Sequence, residues 1–292
     1  MTTQGGPPRI DHVTIAGRDL DALEAAFERV GIDPEYGGRH ESSVTHMSVV
    51  GFADGTYVEL LGKAEPGTAD FWDAHIDGDA GPCAWAVRTD DIDGATEALV
   101  EAGVAVDGPF PYSRDRPDGT TAEWKLTFPG EGEPGELLPF LIEDVTPRSR
   151  RVRPTPSAVE SGLSGVHTVV IAVEDLDGPI EQLRSALGLS APTRGRVERG
   201  RLAGNAAAFA DAPVALLAPG GTDGWVEDRL ERVGPGPCAF LFGDAGDDVD
   251  RFPVGERCEF GPLDVALLDP DRVGGIELLG IVDAEGAEGG RS

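Results

Sequence analysis

Lysine is almost missing from this chain. Only Lys63 and Lys125 occur, and arginine supplies the other basic side chains. Against 24 basic residues stand 53 acidic ones, a formal net charge of −29. Such a surface repels nucleic-acid phosphates and anionic membranes, so neither is an expected partner. Three cysteines, Cys83, Cys238 and Cys258, are too few for a disulfide framework, which suits a reducing compartment. No apolar run approaches the ~20 residues that span a bilayer. The N-terminal MTTQGGPPRIDH has no basic segment leading into an apolar stretch, so no secretory signal is expected and a cytoplasmic location is. Aromatic residues make up only 6%, yet apolar residues reach 40%, enough for ordinary cores and unlike a disordered acidic chain.

Scarce lysine, abundant Asp and Glu, and arginine as the retained cation resemble proteins of salt-accumulating halophiles. In molar salt the Debye length shrinks to ~3 Å and surface carboxylates stop repelling one another. The melting temperature is therefore expected to fall on transfer from molar KCl to dilute buffer. An unchanged melting temperature across that range would refute the reading.

The 292 residues suggest two domains, at roughly 150 residues each. Internal repeats sharpen this. DHVTIAGRDLDAL, from Asp11, resembles HTVVIAVEDLDGPI, from His167, and GPCAWAV at Gly81 returns as GPCAFLF at Gly236. YVELLG at Tyr57 returns as GIELLG at Gly275. The offsets differ, which points to a smaller unit repeated inside each half. Each unit opens with a short β-rich run, then an Asp-containing cap, then a helix. Asp caps a helix because its carboxylate accepts from free backbone N–H groups. The helices read LDALEAAFERVG, IDGATEALVEAG, LDGPIEQLRSALG and a weak VDRFPVG. Alternating apolar stretches follow, in the first unit over Glu35–Arg39, Thr45–Gly51 and Thr56–Leu61. The expected fold is α+β: four βαβββ units paired into domains at 9–145 and 165–282. Residues 146–164, rich in Pro, Ser and Arg, form the linker, read either as solvated or as an anion site. The leader and the tail DAEGAEGGRS are expected to be disordered.

Paired βαβββ units with the words IDHVTIAGRDLDALEAAF, GGRH, YVELLG, RPDGT, EWKLTFP, LLPFLIED and LLDPDRVGGIELLG resemble the vicinal oxygen chelate superfamily, and within it the glyoxalase-like domain family. The resemblance covers nearly the whole chain. It implies units placed in parallel with helices outside and a curved sheet around a cavity. It also implies a divalent metal held by His and Glu on the first and last strands of each unit.

Residue by residue, the first-strand ligand positions fall on His12, Ala84, Thr168 and Ala239. The last-strand positions fall on Glu59, Ala215 and Glu277, with no acid in the second unit beyond Glu143 near its strand end. The second half therefore reads as degenerate, with His167 one residue out of phase. In the first half His12 and Glu59 remain. Strand alternation puts His12, Thr14 and Ala16 on one face and Tyr57, Glu59 and Leu61 on another, both expected to be concave. Taking Met47 and Val49 as helix-facing brings in His46. The expected site is thus His12, His46 and Glu59 as ligands for Zn, Mn, Ni or Fe, with Glu59 as the catalytic carboxylate. A plain hydrogen-bonded His–Glu couple is the alternative. Arg39 and His40 read as contacts for a substrate anion or as a surface loop. Trp124 reads as a pocket wall or as core, and Arg116 with Asp118 as a hairpin turn or a pocket lip. Two functions stay open: a metal-dependent lyase, isomerase or dioxygenase acting on a chelating oxygenated small molecule, and a metal-free protein that binds or sequesters one.

Overall fold

The structure, a computed structural model, describes residues 7–40, 43–69, 71–221, 224–244, 249–273 and 279–283. Glu277, residues 1–6 of the leader and residues 284–292 of the tail lie outside the described residues.

Sixteen described strands form two eight-stranded sheets. The first contains β1 (Ile10–Ala16), β2 (Glu35–Arg39), β3 (Thr45–Gly51), β4 (Tyr57–Lys63), β5 (Gly81–Arg88), β6 (Val106–Asp115), β7 (Thr121–Pro129) and β8 (Phe140–Asp144). Their order is β2-β3-β4-β1-β5-β8-β7-β6. The second repeats that order with β9 (Leu163–Ala172), β10 (Thr193–Val197), β11 (Gly204–Ala208), β12 (Val214–Ala218), β13 (Gly236–Asp244), β14 (Val254–Phe260), β15 (Leu263–Leu268) and β16 (Leu279–Asp283). The helices are α1 (Leu20–Glu28), α2 (Trp72–Asp77), α3 (Ile92–Glu101), α4 (Pro156–Glu160), α5 (Asp177–Leu187) and α6 (Trp225–Val233). Four βαβββ units follow in chain order. In the fourth, a short 3-10 turn at Val249–Arg251 stands where the weak helix was expected.

Local chemistry explains the unit. Asp19 accepts from the N–H groups of Asp21 and Ala22, Asp91 from Gly94, and Asp175 from Asp177 and Gly178. Gly31, Gly103 and Gly188 end α1, α3 and α5 at φ near +82°, +81° and +67°, a conformation that costs other residues a steric penalty.

Within each sheet the units do not sit in parallel, contrary to expectation. Their first strands, β1 and β5, run antiparallel, with His12 opposite Ala86 and Thr14 opposite Ala84. A local two-fold therefore relates the two halves of a sheet. One apolar core, containing Val13, Ile15, Leu60 and Trp85, fills the helix side and continues into the second sheet. Phe52 and Phe242 meet across that junction with ring centroids 5.5 Å apart.

The segment expected to be a solvated linker is packed instead. Val152, Thr155 and Ala158 are buried. Thr155 donates its N–H to the Gly51 carbonyl at 2.9 Å and its hydroxyl accepts from the Gly51 N–H at 3.0 Å. A Cβ at Gly51 would lie 2.1 Å from the Arg153 carbonyl oxygen, so only glycine permits this approach.

Candidate functional site

The concave face of the first sheet encloses a cavity of about 570 Å³. That lies inside the range of ~300–1,000 Å³ common for small-molecule sites. Its walls carry two kinds of chemistry, one from each unit.

The first unit supplies a polar corner. His12 on β1 is buried; its Nδ1 lies 2.8 Å from Asp11 Oδ1, and its Nε2 lies 3.9 Å from Glu59 Oε2. Each ring nitrogen of His12 thus faces a carboxylate, Nδ1 toward Asp11 and Nε2 toward Glu59. Glu59 on β4 also meets Thr14, whose hydroxyl donates at 3.4 Å, and His40, whose Nε2 lies 3.5 Å from Oε1. His40 follows β2 and is held at Nδ1 by the Thr45 hydroxyl at 2.8 Å. Burial holds His40 below the ordinary imidazole range; Glu59 opposes this and Arg114 adds to it.

His46 is not in this corner. On β3 it points toward α1, edge-on to Tyr36, and its neighbour Ser48 donates to Glu24. The expected parity of β3 fails because β3 pairs with β4 so that Met47 lies opposite Leu61 and Val49 opposite Glu59. Residues directly opposite in a sheet share a face, so Met47 and Val49 point inward with Glu59. The more apolar face of β3, with Met47 and Val49, lines the cavity, whereas the pattern assigns an apolar face to the helix side. His40 takes the place expected of His46. Arg39 is likewise displaced: it is exposed and pairs with Glu65 at 3.3 Å, away from the cavity. Trp124 lines the cavity. Arg116 and Asp118 belong to the β6–β7 hairpin, where Arg116 accepts from the Gly119 N–H.

Behind the corner lies a buried ion cluster. Asp11 is fully buried and accepts from Arg151 at 2.8 and 3.0 Å, from His12, and from Arg148. Arg151 also donates to Asp144 at 2.7 and 3.0 Å and to the Tyr57 hydroxyl at 2.8 Å. Burial alone would raise the Asp11 carboxyl, but Arg151 and the His12 hydrogen bond hold it well below the usual carboxylate range. Tyr57 stacks on the His12 ring, centroids 4.7 Å apart, so the cluster orients the imidazole from the rear and the side. The basic run that reads as a linker is thus the far wall of the site.

The second unit supplies aromatic surface. Tyr112 and Trp124 lie nearly parallel with centroids 6.4 Å apart, and Phe128 meets Phe140 edge-on at 5.2 Å. Phe71 and Trp72, at the start of α2, complete this wall. Arg114 on β6 also faces the cavity and is 2% exposed. Sequence reasoning passed over Arg114 and α2; the only signal for Arg114 is an arginine in a β-rich run before the RPDGT turn.

The two-fold identifies the counterparts of His12 and Glu59 in the second unit. Thr14 pairs with Glu59, and Ala86 with Phe140, so Phe140 occupies the place matching Glu59, as Ala84 matches His12. Glu143 is turned away and caps α3 through the Ile92 N–H at 3.2 Å. Two of four ligand positions are therefore carbon. The remaining donors do not close on one point: His12 addresses one oxygen of Glu59 and His40 the other. Among the described residues no three His, Cys, Asp or Glu side chains group closely enough to hold a metal ion. This donor set does not fit the metal that the resemblance implies.

The second sheet offers less. Thr168 is buried, and Ala215 and Ala239 join Val170, Leu217, Leu241, Phe260 and Leu267 in a continuous apolar core on the concave side. His167 bonds Thr168 at 2.7 Å.

The sequence profile of the glyoxalase-like domain matches residues 10–169, more than half of the chain. The chain belongs to the glyoxalase-like domain family. Among solved structures it is similar to a hypothetical protein from Staphylococcus aureus, at 15% identity and a TM-score of 0.64, covering 94% of this chain and 99% of that one. It is similar to a mutant of 4-hydroxymandelate synthase from Streptomyces coelicolor, at 16% identity and TM-score 0.64, covering 95% and 93%. A fusion of a xylose isomerase-like TIM barrel with 4-hydroxyphenylpyruvate dioxygenase matches at 14% identity and TM-score 0.59 over 95% of this chain and 49% of that one. These neighbours share the vicinal oxygen chelate fold, and identities this low carry the fold alone. No curated protein matches the sequence. Among the described residues no helix is long and apolar enough to cross a membrane.

Proposed function

We propose that this glyoxalase-like protein binds a small molecule in the first-sheet cavity without a metal. The observation that carries the reading is the division of the walls. His12, His40 and Glu59 form a polar corner, while Ala84 and Phe140 occupy the other ligand positions and join an aromatic wall. A pocket of that kind orients a ligand by a few polar contacts and holds it by apolar area. With Nδ1 engaged by Asp11, His12 turns Nε2 to the cavity beside Glu59, where the two groups meet the polar end of a ligand.

The competing reading is metal-dependent lyase, isomerase or dioxygenase chemistry. One experiment separates them. Protein kept in molar KCl is titrated with aromatic small molecules, with and without EDTA, following melting temperature and tryptophan fluorescence. Ligand binding is expected to survive EDTA. In parallel, α-ketoaldehyde thiol adducts and catechols are offered with Mn, Ni, Zn or Fe(II). Metal-dependent turnover that disappears in Glu59→Gln would overturn the metal-free reading.

A further inference from the structure

We infer that Arg114 anchors the carboxylate of an aromatic acid in this cavity, an inference that rests on the small-molecule reading of the same site. Every arginine lining or flanking the cavity has an acid partner except this one. Arg151 and Arg148 share Asp11 and Asp144, and Arg116 reaches Glu35 and Asp118. Arg114 donates to the Arg151 carbonyl oxygen at 2.9 Å and touches the Met47 sulfur. Its Nε is buried with no hydrogen-bond partner. Among the described residues no carboxylate stands within ion-pairing distance of it; Glu59, on the same cavity, attracts it only from farther off.

A buried cation in that condition is costly. Arginine does not escape by losing its proton, as a buried lysine does. Removing a guanidinium from water without a counterion is strongly unfavourable, and the usual remedy is an anion with matching geometry. Carboxylate is planar, singly charged and accepts two parallel N–H donors from the guanidinium fork. A phosphate dianion would add a second charge close to Glu59.

The neighbours of Arg114 define the rest of the ligand. Tyr112, two residues earlier on β6, shares its face, and Tyr112 lies opposite Trp124. Beyond them come Phe128 and Phe140, edge to face. A flat ring carried on the acid fits between these walls, with its far polar groups toward His40 and Glu59. The second unit, which has carbon where ligands were expected, thus contributes the cation and the aromatic wall.

The test uses the full chain in molar KCl and isothermal titration calorimetry. Phenylacetate and benzoate are the probes, phenylacetamide the neutral match and phenyl phosphate the dianion. The acids are expected to bind about 10- to 100-fold more tightly than the amide, the worth of a charge-assisted bond. Arg114→Met is expected to erase that preference while melting no lower than wild type, because it removes an unpaired buried charge. Arg114→Lys, which keeps the charge and loses the fork, should retain part of the preference and serves if the methionine variant does not fold. Equal binding of acid and amide by wild type, an acid preference that persists in Arg114→Met, or tighter binding of phenyl phosphate would overturn the inference. If the amide binds and the acids do not, the inference fails and the pocket reading stands. If neither class binds at millimolar concentration, both fail.

Discussion

Arg151→Met is expected to lower the unfolding free energy by about 3–5 kcal/mol, the cost of leaving a buried charge without its partner. Arg151 is 3% exposed and gives four hydrogen bonds to Asp11 and Asp144. Methionine fills similar volume and supplies none of them. Asp11 would keep His12 and Arg148 but lose its largest favourable charge. Arg150→Met is the control, since Arg150 lies in the same basic run and is exposed. A change within about 0.5 kcal/mol is expected there. Urea unfolding in molar KCl measures both, and equal effects would show that the cluster does not hold the segment down. The pH dependence has a definite sign. A carboxyl depressed in the folded state stabilises above its unfolded value, about 3.9, and loses that contribution as pH falls toward the folded value. Wild type should therefore lose stability progressively below about pH 4. The Arg151→Met variant should show a weaker decline over that window, because most of the Asp11 contribution is already gone.

Trp85→Ala should cost about 3–5 kcal/mol, the range for large-to-small changes in a packed core. Trp85 is fully buried on β5, in the core that runs from the helices of the first sheet into the second, and its Nε1 donates to the Leu137 carbonyl at 3.3 Å. Trp124→Ala is expected to behave differently. Trp124 is 8% exposed and borders a cavity that is already open, so truncation widens a space and creates no new void. Its stability cost should be clearly the smaller, and its loss should appear as weaker binding of aromatic probes, because it stacks with Tyr112 on the ligand wall. Chemical unfolding and probe titration of the two variants give a crossed pattern if the sheet has one packed face and one binding face. Parallel losses in both assays would contradict that division.

The β3 strand shows where reading from sequence stopped. Alternation on β1 and β4 is informative because one face carries Val13, Ile15, Val58 and Leu60, and the other carries His12, Thr14 and Glu59. On β3 the inward residues are Thr45, Met47 and Val49 and the outward ones His46, Ser48 and Val50, so the polar side chains lie on the face away from the cavity and the pattern pointed His46 the wrong way. His40 was visible as a residue of the GGRH word and gained its position only from the strand that follows β2. The arginines of 146–164 looked like a solvated run because their acid partner Asp11 lies 140 residues away from Arg151.

By itself the sequence determined the repeat, the four βαβββ units with their Asp caps and glycine stops, the family, and the survival of one His–Glu pair. Those properties are local: they depend on hydrogen bonds within a turn, on alternation along a strand, or on words of a few residues. Tertiary structure alone decided the antiparallel pairing of β1 with β5. That pairing matched Glu59 with Phe140, while the β2-β3-β4 register brought His40 to Glu59 and the packing of the segment after β8 locked Arg151 onto Asp11 and left Arg114 buried with no acid in ion-pairing range. Each of these depends on which strands become neighbours, and burial then sets the cost of every charge they enclose.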